Sequence, residues 1–93
     1  MIKRANIWNE SEGLQSVLVE IDIEIMGHPC FVHRDVFGDC RVTECRSGFA
    51  LGATGDTVQD AIDKAREQVE TTGIDRFVSA IEKTVAKYGE ANP

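Results

Sequence analysis

The most regular pattern in the chain is a run of alternating apolar and acidic residues near its start. Apolar residues occupy every second position from 17 to 25, and Glu20, Asp22 and Glu24 lie between them. Successive side chains of a β-strand point to opposite faces, so this period predicts a strand over about residues 16–26 with one apolar and one acidic face. Residues 1–15 are expected to form either a loose lead-in or a short edge strand.

Three shorter apolar segments follow, each separated from the next by turn-forming residues. Gly27-His28-Pro29 is expected to turn, because glycine adopts unusual dihedral angles and proline cannot donate to a strand ladder. Gly38-Asp39 has the length of a tight hairpin turn, and pairing Phe37 with Cys40 would place Val32 opposite Cys45. The remaining strands are predicted over residues 30–37, 41–45 and 49–51, with a turn at Ser47-Gly48. Together these segments predict an antiparallel meander.

The spacing of apolar residues becomes helical after residue 56. Thr57, with Asp60 three residues later, is typical of a helix N-cap followed by an acidic first turn, and Gly73 is expected to end this helix. Asp75 is expected to cap a second helix that ends at Gly89. The apolar positions at helical spacing are Val58, Ala61, Ile62, Ala65 and Val69, and then Phe77, Val78, Ile81, Val85 and Tyr88.

Strands followed by helices predict an α+β fold, because each element must bury its apolar side against another. We expect a four-stranded antiparallel sheet followed by two amphipathic helices packed on one face, in the order ββββαα. A length of 93 residues corresponds to a single domain over residues 1–93, with residues 90–93 as a frayed tail.

Composition and charge narrow the classes of function. The chain carries 16 acidic and 10 basic residues, and its basic residues do not cluster beyond Lys3-Arg4. This disfavours direct binding to nucleic acid and favours basic protein grooves. The chain has neither the ~20 consecutive apolar residues of a membrane span nor the apolar region of a signal peptide at its start, so a cytoplasmic location is expected. The odd count of three cysteines is typical of reduced thiols.

Candidate catalytic and metal-ligating residues do not form a recognisable constellation. The zinc-preferring residue types are His28, Cys30, His33, Cys40 and Cys45. Their spacing does not match paired zinc knuckles, and the pairing above would scatter the thiols over both sheet faces. We therefore expect small buried or half-buried thiols and neither a metal nor a cofactor. A cysteine activated by His28 or His33 is the alternative, but nothing in the sequence orients such a pair, and we expect no enzyme. Residues 52–55 are interpreted as a flexible connection rather than an anion-binding loop.

The acidic row, Glu20, Asp22 and Glu24, is the leading candidate for a partner-binding surface. Side chains two positions apart on a strand lie about 6.8 Å apart on the same face, which gives a line of negative charge. Such a line could occupy a basic nucleic-acid channel of a partner, or it could be a solvated face whose charges discourage aggregation. A second polar patch is predicted from Arg34, Asp35 and Glu44.

Trp8 is the best single anchor residue for a protein partner if residues 1–15 are exposed, since tryptophan is enriched at interface hot spots. The alternative is that Trp8 covers one end of the core. An exposed edge strand and an odd thiol also leave a homodimer open.

The order of the predicted elements and the chain size resemble those of some type I anti-CRISPR proteins, which are small phage-encoded inhibitors of the CRISPR surveillance complex. This resemblance implies an acidic, non-enzymatic inhibitor that covers a surface used for target DNA or for nuclease recruitment. It carries no functional residues over to this chain, because it rests on topology rather than on a motif.

A second resemblance is local. Residues 55–65, which begin Gly55-Asp56-Thr57, resemble the helix start of HicB-type antitoxins. The strands lack that family's Phe-Pro-Asp-x-Pro-Gly-Cys segment, and no basic DNA-binding extension follows. This resemblance implies an antitoxin-like module that neutralises a small toxin. Both resemblances imply a protein that acts by binding another macromolecule.

Overall fold

The computed structural model describes residues 3–93, over which the chain forms two antiparallel sheets and a pair of helices. The elements are β1 (Arg4–Asn9), β2 (Gly13–Leu18), β3 (Ile21–Ile25), β4 (His28–Arg34), β5 (Cys40–Glu44), β6 (Ala50–Gly55), α1 (Val58–Thr72) and α2 (Ile74–Tyr88). Strands β3 to β6 form a four-stranded sheet in sequence order, and β1 pairs with β2 alone. The predicted α+β fold, with a meander followed by two helices, is confirmed.

The single long strand predicted over residues 16–26 is wrong, because the chain changes sheets within it. The amide of Val19 donates to Lys3 O, whereas the amide of Glu20 donates to Val32 O, so successive residues bond to different sheets. Strand β2 therefore belongs to an N-terminal hairpin formed by β1 and β2, and β3 is an edge of the larger sheet. Of the two alternatives for residues 1–15, the described part forms strand β1 and the start of β2, while Met1 and Ile2 lie outside the described residues.

The turn between β3 and β4 is shorter than predicted. Met26 and Gly27 both have positive φ angles, 49° and 81°, which is the backbone twist that suits a two-residue hairpin. His28 and Pro29, which were expected in the turn, instead begin β4 opposite Ile25 and Glu24.

The connection between β4 and β5 is longer than predicted, and this changes the register. Arg34 pairs with Cys40 and Val32 with Val42, so five residues, 35–39, form the loop instead of Gly38-Asp39 alone. The predicted pairings of Phe37 with Cys40 and of Val32 with Cys45 are therefore wrong. The observed register places Cys30 and Cys40 on the same face of the sheet, where both are buried.

The segment at residues 52–55 is neither a flexible connection nor an anion-binding loop, because it belongs to β6. Cys40 pairs with Gly55 and Thr43 with Ala50, with a register shift between them. Gly52 lies in this irregular stretch with a φ of 54°, an angle that glycine adopts without strain.

Both helices form close to the predicted positions. The Thr57 hydroxyl accepts a 3.1 Å hydrogen bond from the Asp60 amide, and the Gly73 amide closes the other end of α1 on Val69 O. The prediction that Asp75 caps α2 is wrong, because α2 begins at Ile74 with Gly73 as its N-cap. Asp75 lies in the first turn, where its negative charge complements the helix dipole.

The sheet is covered on both faces. On one face the strands pack against the helices in the main core, which consists of Ile25, Cys30, Val32, Cys40, Val42, Ala61, Ile62, Ala65, Val69, Phe77 and Ile81. On the other face Phe31, His33 and Thr43 are buried on the side of the N-terminal hairpin. The molecule therefore has three layers, with the hairpin on one side and the helices on the other.

Residues 90–93 are not a frayed tail, because they bind the hairpin. The Asn92 side chain accepts a hydrogen bond from the Asn6 amide at 2.8 Å and donates to Asn6 O and Cys45 O, both at 2.9 Å. Ala91 is buried, and its amide donates to Arg46 O. The tail thus joins β1 to the turn after β5.

Candidate interaction surface

The 35–39 loop presents two apolar side chains to solvent. Val36 is 94% exposed and Phe37 is 86% exposed, the largest exposures among the large apolar side chains of residues 3–93. A single exposed apolar residue is ordinary, but two adjacent ones at the end of a hairpin form a protruding apolar patch.

Hydrogen bonds within residues 34–39 brace this loop. The Asp35 carboxylate accepts from the amides of Phe37 and Asp39, at 2.9 and 3.1 Å. The amide of Asp35 donates to Asp39 O, and the amide of Gly38 donates to Asp35 O. The Arg34 guanidinium also donates to Gly38 O at 2.9 Å. An aspartate that bonds amides further along the chain is typical of turns, and here it explains why the loop is longer than the sequence predicted.

A cleft of about 350 Å³ separates the loop from the N-terminal hairpin. Val36, Phe37 and Arg41 line it on the loop side, and Ile7, Gln15 and Val17 line it on the hairpin side. Arg41 contacts the Asp35 carboxylate at 3.7 Å, which connects the floor of the cleft to the base of the loop. The loop and the cleft therefore form a continuous surface with a projection beside a recess.

His33 lines this cleft but is almost completely buried. Its Nε2 lies 2.9 Å from the Thr43 hydroxyl, and its Nδ1 lies 3.4 Å from Arg34 O. Burial lowers the pKa of His33 below its ordinary value of 6.5, so the ring is neutral at neutral pH. His33 thus supports the cleft from below without adding charge to it.

Trp8 packs at one end of this surface. Its ring stacks on Tyr88 with centroids 4.5 Å apart, and its amide donates to Gly48 O at 2.7 Å. The indole Nε1 is buried and lacks a hydrogen-bond partner within residues 3–93. Trp8 therefore joins the hairpin to the end of α2 and also lines the cleft beside the loop.

Two of the three carboxylates of the acidic row form ion pairs within the chain. Asp22 and Glu24 share one face of β3, whereas Glu20 lies in the bend before that strand. Lys3 contacts Asp22 at 2.7 Å, and Arg34 contacts Glu20 at 3.3 Å. Within residues 3–93, Glu24 is the one member of the row without an ion pair. Both pairs are exposed, so their partners can exchange at small free-energy cost.

Glu44 is 1% exposed, so its predicted place in a surface patch is wrong. Its carboxylate accepts hydrogen bonds from the amides of Arg46 and Ser47, at 2.7 and 2.8 Å. These bonds shape the turn after β5. The other two members of the predicted patch, Arg34 and Asp35, lie together at the base of the 35–39 loop.

The histidines and cysteines are not all brought together, and His28, which shares the face of β4 with Cys30, packs against Phe77 with ring centroids 5.4 Å apart. Cys30 and Cys40 lie in the helix-side core, whereas His33 is on the opposite face of the sheet. Within residues 3–93 the structure holds no group of three or more His, Cys, Asp or Glu side chains arranged to bind a metal ion. Burial raises the pKa of Cys30 to about 12 and also raises that of Cys45, the opposite of what a nucleophilic thiolate requires.

The Gly55-Asp56-Thr57 string has a local structural explanation. Thr57 caps α1, and a Cβ on Gly55 would lie 2.5 Å from the Ala61 amide nitrogen, so a larger residue would collide with the first turn. The string therefore allows β6 to lead directly into α1.

The sequence interpretation missed Val36 and Phe37. They were assigned to the end of a strand, where one of two adjacent side chains would face the core. The available signal was Asp35, because an aspartate followed by Gly38-Asp39 is typical of a longer side-chain-bonded turn.

Comparisons of the chain with protein-family models, with curated proteins and with solved structures found no match. Neither of the helices in residues 3–93 has the length and apolar character needed to cross a membrane.

Proposed function

We propose that this protein is a non-enzymatic, protein-binding inhibitor that acts in the host cytoplasm and covers a surface of a nucleic-acid-handling complex, in the manner of phage-encoded anti-CRISPR proteins. The observation that carries the proposal is the 35–39 loop, which holds Val36 and Phe37 in solvent on a hydrogen-bonded frame.

A hydrogen-bonded loop is suited to binding because part of the entropy of ordering its backbone is lost during folding and not during association. Aromatic side chains that enter a partner's pocket contribute strongly to affinity. Phe37 provides such a side chain, and the adjacent cleft can receive a side chain of the partner. These features support a contact made by a projection and a recess together.

The charge of the molecule supports a basic partner. The formal net charge is −6, and Glu24 is free to pair with a cation of the partner. Acidic surfaces accelerate association with basic grooves and exclude nucleic acid from them. The loop would thus supply contact area, while the charge would favour the nucleic-acid-binding side of the partner.

The test measures binding of the protein to a purified type I CRISPR surveillance complex, together with target-DNA binding by that complex. Replacing Val36 and Phe37 with serine should weaken binding about 10- to 100-fold, the range expected for removing a hot spot. Met26→Ser is the matched control, since Met26 is also an exposed apolar residue of a hairpin turn, at 48%, but lies at the other end of β4. This control should bind like the wild type.

Affinity capture from a bacterial lysate tests the class of partner. Recovery of surveillance-complex subunits, or of another nucleic-acid-handling complex, supports the proposal. Recovery of one small basic toxin would overturn it in favour of a HicB-like antitoxin. Equal binding by the serine double variant and the wild type would exclude the loop as the contact.

A further inference from the structure

The two edges of the N-terminal hairpin differ. The outer edge of β1 is covered, since the Trp8 amide bonds Gly48 O and the Asn92 side chain bonds both the amide and the carbonyl of Asn6. Asn6 and Trp8 therefore direct their backbone groups away from β2.

The outer edge of β2 is open. Asn6 is paired with Ser16 and Trp8 with Leu14, and in an antiparallel pair such residues both point their backbone groups outward. Leu18, two positions after Ser16, also points its backbone groups outward. None of these three amides has a backbone partner beyond the hairpin within residues 3–93. Leu14 and Leu18 are 50% and 52% exposed, and Ser16 is also exposed.

This edge lacks the features by which proteins prevent strand pairing. Natural edge strands carry lysine, other charges, proline or a bulge, whereas Gly13–Leu18 contains no charged residue and no proline and pairs with β1 in unbroken register. An edge strand with no charged residue of its own and with two exposed leucines is a template for another strand.

We propose that a second copy of this chain binds here, with the two β2 strands antiparallel about a two-fold axis at Ser16. Leu14 then lies opposite the partner's Leu18, and Ser16 lies opposite the partner's Ser16. The result is a continuous four-stranded sheet made from two hairpins. Apolar cross-strand pairs are favourable in such a sheet, and β2 itself contributes no charged side chain, so the like charges near the two-fold axis are those of the two Arg4 side chains.

The existing contacts of Ser16 are compatible with this arrangement. Its hydroxyl accepts a hydrogen bond from Arg4 Nε at 2.7 Å, and its carbonyl accepts one from the same guanidinium at 3.1 Å. A carbonyl has two lone pairs, so it can also accept the amide of the partner's Ser16.

The open edge of β3 does not suit a second copy. An antiparallel pair centred on Ile23 would place Asp22 opposite the partner's Glu24, and like charges directly opposite each other are destabilising. Self-pairing therefore selects β2 over β3.

The test is the molar mass of the full chain by sedimentation equilibrium over roughly 10 µM to 1 mM. This range is chosen because an interface made by one short strand from each copy is small and is expected to be weak. The wild type should pass from monomer to dimer. Ser16→Lys places two lysines opposite each other beside Arg4 and should remain monomeric, whereas Ser16→Thr should still dimerise. Glu24→Lys, on the competing edge, should dimerise like the wild type.

Amide exchange in the wild type provides a readout that does not depend on any variant folding. Protection of the Leu14, Ser16 and Leu18 amides should rise with protein concentration, while the Gln15 and Val17 amides, which face β1, should be protected throughout. A wild type that stays monomeric at every concentration would overturn the proposal. Loss of the dimer in Glu24→Lys but not in Ser16→Lys would also overturn it.

Discussion

Glu44 and His33 are polar residues of adjacent strands that are nevertheless buried, and each is supported by specific hydrogen bonds. Glu44 bonds two amides of the turn after β5, while His33 bonds Thr43 on the hairpin side of the sheet. A buried polar group is tolerated when its bonds replace those lost to water. The two residues should therefore affect stability in different ways.

Glu44→Ala should lower the free energy of unfolding by about 2–4 kcal/mol, because it leaves the amides of Arg46 and Ser47 without an acceptor and opens a cavity. Urea unfolding followed by circular dichroism measures this change. Glu82→Ala is the matched control, since Glu82 forms an exposed ion pair with Arg46 and should change stability by at most about 1 kcal/mol. Equal effects of the two changes would contradict the role given to Glu44.

His33 should make the protein less stable as the pH falls. Its pKa in the folded protein is below 6.5, so between that value and 6.5 the unfolded chain binds more protons than the folded one. Stability from this group is complete above about pH 7 and is lost as the pH falls from 6.5 through the lower pKa of the folded protein. Urea midpoints between about pH 7.5 and 5.5 should fall more steeply for the wild type than for His33→Gln. Parallel curves would contradict the prediction.

At the scale of elements, the connections between strands, more than the strands themselves, determine the arrangement. The loop held by Asp35 shifts the β4–β5 register, and the change of sheet between Val19 and Glu20 divides one apolar run into two strands. The C-terminal tail likewise acts as a connection, because Asn92 bonds both β1 and the turn after β5.

Asn92→Ala should loosen the hairpin selectively. The change removes three hydrogen bonds and should lower stability by about 1–3 kcal/mol. Amide exchange should accelerate at Asn6, because its amide donates to the Asn92 side chain. Helix α1 should keep its protection until global unfolding. Pro93→Ala serves as the control, since Pro93 is exposed. The amides of this variant should exchange at the same rates as those of the wild type. Faster exchange over the whole chain would contradict a local role for the tail.

The sequence was sufficient for the helices and for the class of fold, because the helical period and the caps at Thr57, Gly73 and Gly89 are local signals. It was insufficient for the change of sheet before β3, since that change depends on which distant backbone groups accept the amides of Val19 and Glu20. The 35–39 loop had a local signal in Asp35, which the sequence interpretation missed. The sequence also did not predict the burial of Glu44. Glu44 acts as an acceptor for the turn after β5, and the position of that turn follows from the register of β5.

At the scale of the whole molecule, exposed acidic side chains lie on two separate surfaces, and we propose only one of them as a contact for a partner. The acidic row lies on and beside β3, while α1 carries a second exposed acidic set, Asp63, Glu67 and Glu70. Net charge governs long-range attraction, whereas a local row governs alignment with a groove. The two effects can be separated by changing equal amounts of charge at the two places.

Replacing Glu20, Asp22 and Glu24 together with alanine changes the formal net charge from −6 to −3 and should both weaken binding to a basic partner and flatten its dependence on salt. The matched control replaces Asp63, Glu67 and Glu70, which changes the net charge equally. Association rates at several salt concentrations measure both. A control that is as slow as the row variant would assign the effect to net charge and contradict the acidic row as a contact.

The contact between Asn6 and Asn92 joins positions that are 86 residues apart. During synthesis on the ribosome, the backbone groups of Asn6 therefore stay unpaired until Asn92 has emerged, whereas the bond from Trp8 to Gly48, the meander and α1 need only partners that lie nearer in sequence. Such long-range closure is slow compared with local pairing. The nascent protein would complete its sheet and first helix before Asn92 reaches the hairpin, so that the Asn6 part of the hairpin edge stays exposed longer to chaperones and to neighbouring nascent chains.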